Sequence, residues 1–164
     1  MNVFQDWVYN KNNIRFQFIL VIFRTCAIAA NNRFYFILFL PILIFYRVVI
    51  EWIIGVEIPY KTKIGRGLQV FHGIGLVIND GSIIGDFCIV RHCTTIGNKQ
   101  LVDGTYSNCP IIGDYVDIGA NVSIIGPIKI GNNVKIGAGS VVVKDVPNNC
   151  IIAGNPARII KYLK

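Results

Sequence analysis

Acidic residues are scarce in this chain, nine against sixteen lysines and arginines, so the formal net charge is +7. That balance favours an anionic partner: a phosphate-bearing cofactor, a membrane surface or an acidic glycan. Nucleic acid is not favoured, because the basic residues are scattered and neither zinc-finger spacing nor an RNA-binding signature is present. Cysteine is also in short supply for either of its structural uses. Cys26, Cys88, Cys93, Cys109 and Cys150 are odd in number and contain no CxxC pair, which argues against a disulfide framework and a zinc site. A reducing, cytoplasmic setting without a metal is the expectation. Histidine occurs only at 72 and 92, which narrows any search for an acid–base group. Glycine does not occur before Gly55, whereas hydrophobic residues make up 53% of the 164, well above the usual soluble level.

What the sequence does have is a period of six. Ile112, Ile118, Ile124, Ile130, Ile136 and Val142 are spaced six apart, with glycine after four of them (113, 119, 131 and 137). A second small or branched site recurs as Val116, Val122, Ile128, Val134 and Ser140. Hexads of this kind mark a parallel β-helix, in which each hexad gives a short strand and a turn and stacked coils bury what one cannot. The pattern starts at Ile64 and passes through Val70, Ile78, Ile84, Val90 and Ile96. It breaks twice. Val70 to Ile78 is eight rather than six, predicting a bulge at His72-Gly73-Ile74-Gly75, and the polar run 98–110 must leave the prism as a loop. Such breaks in a regular pattern are where function is expected.

Residues 1–56 are different material, apolar and helical in composition. Arg15, the apolar run that follows and Ala27-Ile28-Ala29 imitate a secretory leader, but Arg24 interrupts the run and the odd cysteines argue against export. Phe34–Ile54 carries only Arg47 and Glu51 as charges, close to the ~20 residues that cross a bilayer. Those two residues, four apart, can pair on one helix face, and Pro41 starts or kinks a helix. The preferred reading is therefore helices that pack on the β-helix and on neighbouring subunits and touch the membrane interface, not a span. The expected organisation is an apolar helical segment over 1–56, the β-helix over 57–152 and a tail over 153–164 that covers the last coil.

Ile136-Gly-Ala-Gly-Ser-Val142, Lys144-Asp-Val-Pro147 and Ala153-Gly-Asn-Pro-Ala-Arg158 resemble the C-terminal signature of the left-handed β-helix acyltransferases. Lys63-Ile-Gly-Arg-Gly67, His72-Gly73 and Cys109-Pro110 resemble, within that superfamily, the serine acetyltransferase-like proteins, and among these the polysaccharide O-acetyltransferases of capsule and colanic acid clusters. The resemblance implies a mainly β, left-handed parallel β-helix that forms a homotrimer, with active sites between adjacent prisms and acetyl-CoA as co-substrate. It implies His72 as general base and Glu57 as the acid that orients it. An alcohol is a poor nucleophile at neutral pH, so acyl transfer to oxygen needs such a base beside the hydroxyl, and a carboxylate behind it follows triad logic. For the cofactor the resemblance implies Gly97, Asn98, Ala120 and Ala138, with Lys144 and Arg158 as phosphate partners.

Two positions depart from the serine acetyltransferases. Phe71 stands where they have an aspartate before the catalytic histidine, and Cys109 where they have a second histidine. Loss of these polar groups disfavours serine as acceptor, while an aromatic at 71 suits stacking on a sugar. Phe71, Arg91, His92 and Cys109 are accordingly expected on the acceptor side. The function expected is O-acetylation of a hydroxyl on a bacterial surface polysaccharide or its lipid-linked precursor, in the cytoplasm at the inner face of the membrane. The alternatives are a serine O-acetyltransferase and a non-catalytic trimeric scaffold.

Overall fold

The computed structural model describes residues 2–163. From residue 56 the chain winds through five coils, each touching up to three parallel sheets. Coil 1 holds β1 (Val56–Glu57), β2 (Lys63–Ile64) and β3 (Gln69–Phe71), and coil 2 holds β4 (Leu76–Ile78), β5 (Ile83–Ile84) and β6 (Ile89–Arg91). Coil 3 holds β7 (Thr95–Gly97), β8 (Ile111–Ile112) and β9 (Asp117–Ile118), and coil 4 holds β10 (Ser123–Ile125), β11 (Lys129–Ile130) and β12 (Lys135–Ile136). Coil 5 holds β13 (Val141–Val142), a bridge from Val146 to Ile130, and β14 (Cys150–Gly154). Stacking them gives sheet A, β1-β4-β7-β10-β13; sheet B, β2-β5-β8-β11; and sheet C, which runs from β3 through β6, β9 and β12 to β14. The mainly β, parallel helical architecture read from the hexads is thus the one found.

The register explains the repeat. Ile64, Ile84, Ile112 and Ile130 are stacked partners in sheet B, as are Ile78, Ile96, Ile124 and Val142 in sheet A. All are buried, so the inward position of every hexad forms a ladder whose core no single coil could make. The glycine that follows it has a specific cause. Asp86, Asp114, Asn132 and Asn148 each turn Oδ1 back to accept the backbone N–H of Arg66, Asp86, Asp114 and Asn132, one coil earlier, at 2.7–2.9 Å. A Cβ on Gly65, Gly85, Gly113 or Gly131 would collide with that oxygen.

The first coil has no coil before it, and the N-terminal segment takes that place. It contains a 3-10 turn (Val8–Asn10), α1 (Ile14–Ala30), α2 (Arg33–Leu38), α3 (Leu40–Phe45, with Pro41 in its first turn) and a π-helical stretch (Tyr46–Ile53). Open strand edges must be paired or covered, and here side chains cover them. Asn10 accepts from the Val70 N–H (3.0 Å) and donates to the Leu68 carbonyl (2.7 Å), while Asn13 donates to the Val70 carbonyl (3.1 Å). Tyr46 donates to the Ile58 carbonyl (2.7 Å) and Arg24 to those of Ile64 (2.7 Å) and Gly65 (2.6 Å).

Arg24, read from sequence as an interruption, is a buried cross-link. It pairs with Asp6 at 2.8 Å, each side chain 1% exposed, and Asp6 also accepts the Leu68 N–H at 3.0 Å. The Arg47–Glu51 pair forms at 3.0 Å. Of the helices expected to pack on the solenoid and on neighbouring subunits, α2 buries no residue within this chain. Its side chains, with those of Ile44, Phe45, Trp52 and Ile53, form an exposed apolar surface instead. Among the described residues no helix is long and apolar enough to cross a membrane. The C-terminal tail forms β15 (Ala157–Tyr162), antiparallel to β14, which covers the last edge of sheet C.

Candidate active site

Val70 to Ile78 spans eight residues because two are inserted where coil 1 turns from sheet C to sheet A. Val70 pairs with Val90 and Ile78 with Ile96, and the second pair of partners is only six apart. Left-handed backbone is routine at the turns of this solenoid, at Phe87, Cys93, Tyr115, Asn121, Asn133 and Asn149, but here His72 (φ 65°), Gly73 (φ 64°) and Gly75 (φ 69°) all adopt it, which takes up the excess. The cap fixes this turn. Arg15 donates to the His72 carbonyl, and Phe16, buried under the turn, occupies the space that a Cβ on residue 73 would need. The Arg15 guanidinium lies over the Phe16 ring, 5.2 Å from its centroid.

The register carries the same corner down the solenoid. His92 lies below His72, with the two rings edge to face at 5.7 Å between centroids. Asp117 pairs with Ile89, which sets Ala120 beneath His92, and Asp117 with Lys135, which sets Ala138 beneath Ala120. The corner thus presents two imidazoles followed by two methyl groups, a narrow strip with small side chains below the reactive ones. His72 is exposed; His92 is half-buried, and its Nδ1 is buried without a hydrogen-bond partner, the kind of polar atom that a ligand satisfies. Arg91 pairs with Asp117, donates to the Ile118 carbonyl (2.9 Å), and lies over the Phe71 ring at 5.5 Å. These contacts fix Arg91 in place, and they steady Phe71, which is 43% exposed beside His72.

The other expected residues fall elsewhere. Glu57 projects outward from sheet A beside Val77. No hydrogen bond or ion pair joins it to His72 among the described residues, and the link between the two turns is the Gly75 N–H to the Gly55 carbonyl, 2.9 Å. Gly97, Asn98 and Lys144 lie at the opposite edge of sheet A, where the chain turns towards sheet B. Cys109 is there too, with its Sγ 3.1 Å from Asn79 Oδ1. Arg158 is exposed on β15, opposite Ala153. One chain therefore brings Phe71, His72, Arg91, His92, Ala120 and Ala138 to one corner and leaves Gly97, Asn98, Cys109 and Lys144 at another.

Sequence reasoning missed the cavity. A hollow of about 630 Å³ opens beside His72, between residues 8–15 of the cap and the outer face of β3. Lys11, Arg15, Tyr9 and Phe71 are among its lining residues. The Tyr9 wall is braced by an aromatic stack, with ring centroids 5.5 Å from Phe87, which in turn lies 5.1 Å from Tyr115. The signal was available in the +7 charge, but which cations would meet at the histidine depends on how the cap folds over coil 1.

Residues 109–144 match the family model for bacterial transferase hexapeptide (six repeats). The chain is 44% identical over 119 residues to WcaB of Escherichia coli K12, a candidate colanic acid biosynthesis acetyltransferase by its name, covering 73% of this chain and 72% of that one. It is 41% identical over 106 residues to the serine acetyltransferase of Synechococcus elongatus, covering 65% of this chain but 43% of that protein, so it spans less than half of that relative's length. Soybean serine acetyltransferase without ligand superimposes with a TM-score of 0.79 at 29% identity, over 95% of this chain and 66% of the other. Given the solenoid, its repeat and this kinship, the chain belongs to the hexapeptide-repeat transferase family, in the group that holds the serine acetyltransferases and the colanic acid acetyltransferase homologue.

Proposed function

We propose that this chain is an acetyl-CoA-dependent O-acetyltransferase acting on a sugar hydroxyl of a bacterial surface polysaccharide or of its lipid-linked precursor. The observation that carries the reading is the corner of coil 1, where a two-residue insertion presents an exposed imidazole beside an aromatic face and an open cavity. His72 takes the proton of the acceptor hydroxyl as its oxygen attacks the thioester carbonyl; the tetrahedral intermediate then expels the coenzyme A thiolate, which takes up that proton. Glu57 is the group to stabilise the imidazolium, reached when its exposed side chain turns towards the corner. Ala120 and Ala138 provide the flat strip for the pantetheine arm. Of the remaining cofactor residues, Arg158 lies on β15 and Gly97, Asn98 and Lys144 lie across sheet A, so the site needs the opposite corner of a neighbouring prism, as in a homotrimer; light scattering that returned a monomer at micromolar concentration would count against this.

Serine O-acetylation is the second reading, favoured by the identity to the Synechococcus protein. Phe71 and Cys109 weigh against it, because neither offers the charge that a zwitterionic amino acid calls for. Incubation with acetyl-CoA and serine separates the two: thiol release at ordinary enzyme rates would overturn the glycan reading. Loss of a 42 Da (acetyl) increment from the surface glycan on deletion would support it, and calorimetry showing no acetyl-CoA binding would leave only a scaffold. We also propose that the protein works at the inner face of the cytoplasmic membrane. The exposed Phe34 (70%), Ile37 (64%), Trp52 (70%) and Ile53 (73%), with Arg33 and Arg47 among them, have the composition of an interfacial contact. Extraction by carbonate is expected; release by detergent alone would favour insertion.

A further inference from the structure

The cavity beside His72 has an electrostatic character that the transfer reaction itself does not require. Its lining includes two cations, Lys11 and Arg15, and no aspartate or glutamate. No carboxylate pairs with either among the described residues, and what sets them apart from the chain's other exposed cations is that both line one hollow beside His72. Lys11 lies in the turn just before α1, and Arg15 in the first turn of that helix, so the helix dipole adds to their field. Arg15 is tied through one guanidinium nitrogen to the His72 carbonyl, which fixes its charge beside the base. Tyr9 and Phe71 supply aromatic surface on the same cavity. Two like charges on one wall of a hollow raise the local positive potential, which is the arrangement that attracts an anion.

We propose that the acceptor sugar carries an anionic group, a carboxylate or a phosphate, which Lys11 and Arg15 bind while Phe71 and Tyr9 pack on the ring and His72 receives the hydroxyl proton. This rests on the glycan reading above and narrows it to acidic acceptors. A charge-assisted hydrogen bond is worth roughly 1.5–3 kcal/mol, and about 1.4 kcal/mol is tenfold in affinity. The anion should therefore improve binding about tenfold or more.

The test uses the full chain without acetyl-CoA, so that it does not depend on turnover. Binding of methyl glucuronide, glucose 1-phosphate and methyl glucoside is followed by ligand-observed NMR at low salt. The carboxylate or the phosphate probe is expected to bind about tenfold tighter than the neutral glucoside, and whichever is tighter identifies the anion. The preference should fade in high salt, fall several-fold in Lys11→Gln, where Arg15 remains, and survive in Lys11→Arg. Equal binding of all three probes, no binding of any, or a preference unchanged in Lys11→Gln would overturn the proposal. Failure of acetyl transfer with the anion preference intact would overturn the enzymatic reading and leave the anion site standing.

Discussion

Replacing Arg24 by Met should detach the cap from coil 1. In the native chain the guanidinium makes four hydrogen bonds, two to Asp6 (2.8 and 3.3 Å) and one each to the Ile64 and Gly65 carbonyls. Met keeps most of the stem volume but leaves Asp6, 1% exposed, with the Leu68 N–H as its remaining partner. Breaking a buried pair from one side costs about 3–5 kcal/mol, and the two orphaned carbonyls add to this unless water enters. Solenoid coils unfold partly independently, so the loss should be concentrated in the cap and coil 1. Amide exchange at Leu68 and Val70 should accelerate by roughly 10²–10⁴-fold, by the tenfold-per-1.4 kcal/mol rule, while Ile124 and Ile136 exchange at native rates. Asp6→Leu with Arg24→Met should cost less than the single Arg24→Met, since the buried charge is then gone. If Arg24→Met left exchange at Leu68 and Val70 within a few fold of native, the ion pair would not be what holds the cap.

His72→Ala should lose about 10²–10⁴ in turnover by thiol-release assay yet keep acetyl-CoA affinity within a few fold; Glu57→Gln should fall between, and His92→Ala should chiefly raise the acceptor KM. Retention of a third of the activity in His72→Ala, with loss in His92→Ala, would make His92 the base. The Glu51 carboxyl is held above its ordinary 4.5, by burial first and by Glu57 as well, against the lowering effect of Arg47. A raised folded value means that its stabilisation is complete below 4.5 and is lost as pH rises through the folded value. Glu51→Gln should therefore flatten the fall in melting temperature above pH 4.5 and raise it at pH 8; an unchanged profile would contradict the assignment. Gly113→Ala, forcing a Cβ against Asn132 Oδ1, should destabilise by about 1–3 kcal/mol in urea unfolding, and a neutral effect would mean that the polar ladder yields freely.

The solenoid was legible because its information is local. Each hexad carries its own inward aliphatic, and many carry a glycine after it, so the coils, the loop at 98–110 and the break at His72 could be read without knowing what stacks on what. The reason for the glycine was not legible, since the oxygen that excludes a side chain at Gly85 comes from Asp114, one coil later. Arg24 was misread for a related reason: its partner Asp6 is 18 residues away in sequence. The clue was present, because a charge within an apolar helix needs a counter-ion and Asp6 is the only acid before Glu51. The apolar character of residues 34–45 indicated helix correctly but not its exposure. Composition alone cannot distinguish a surface awaiting a partner from a core.

The location of the candidate base follows from the same end effect that requires the cap. In the later coils the backbone groups of a strand are taken by coils on both sides, so the chain there offers mainly outward side chains as chemical handles. At coil 1, with no coil before it, the Ile58, Ile64, Leu68, Val70 and His72 carbonyls are claimed by cap side chains, those of Tyr46, Arg24, Asn10, Asn13 and Arg15. A cap held by discrete side chains need not lie flush with the solenoid, and the gap it leaves is the cavity beside His72. The two-residue insertion at His72 is tolerable for the same reason, since no earlier coil must keep register with it. The proposed acceptor side can therefore vary with the cap, through residues such as Lys11, while the strip at Ala120 and Ala138, proposed for the pantetheine arm, remains subject to the strict repeat.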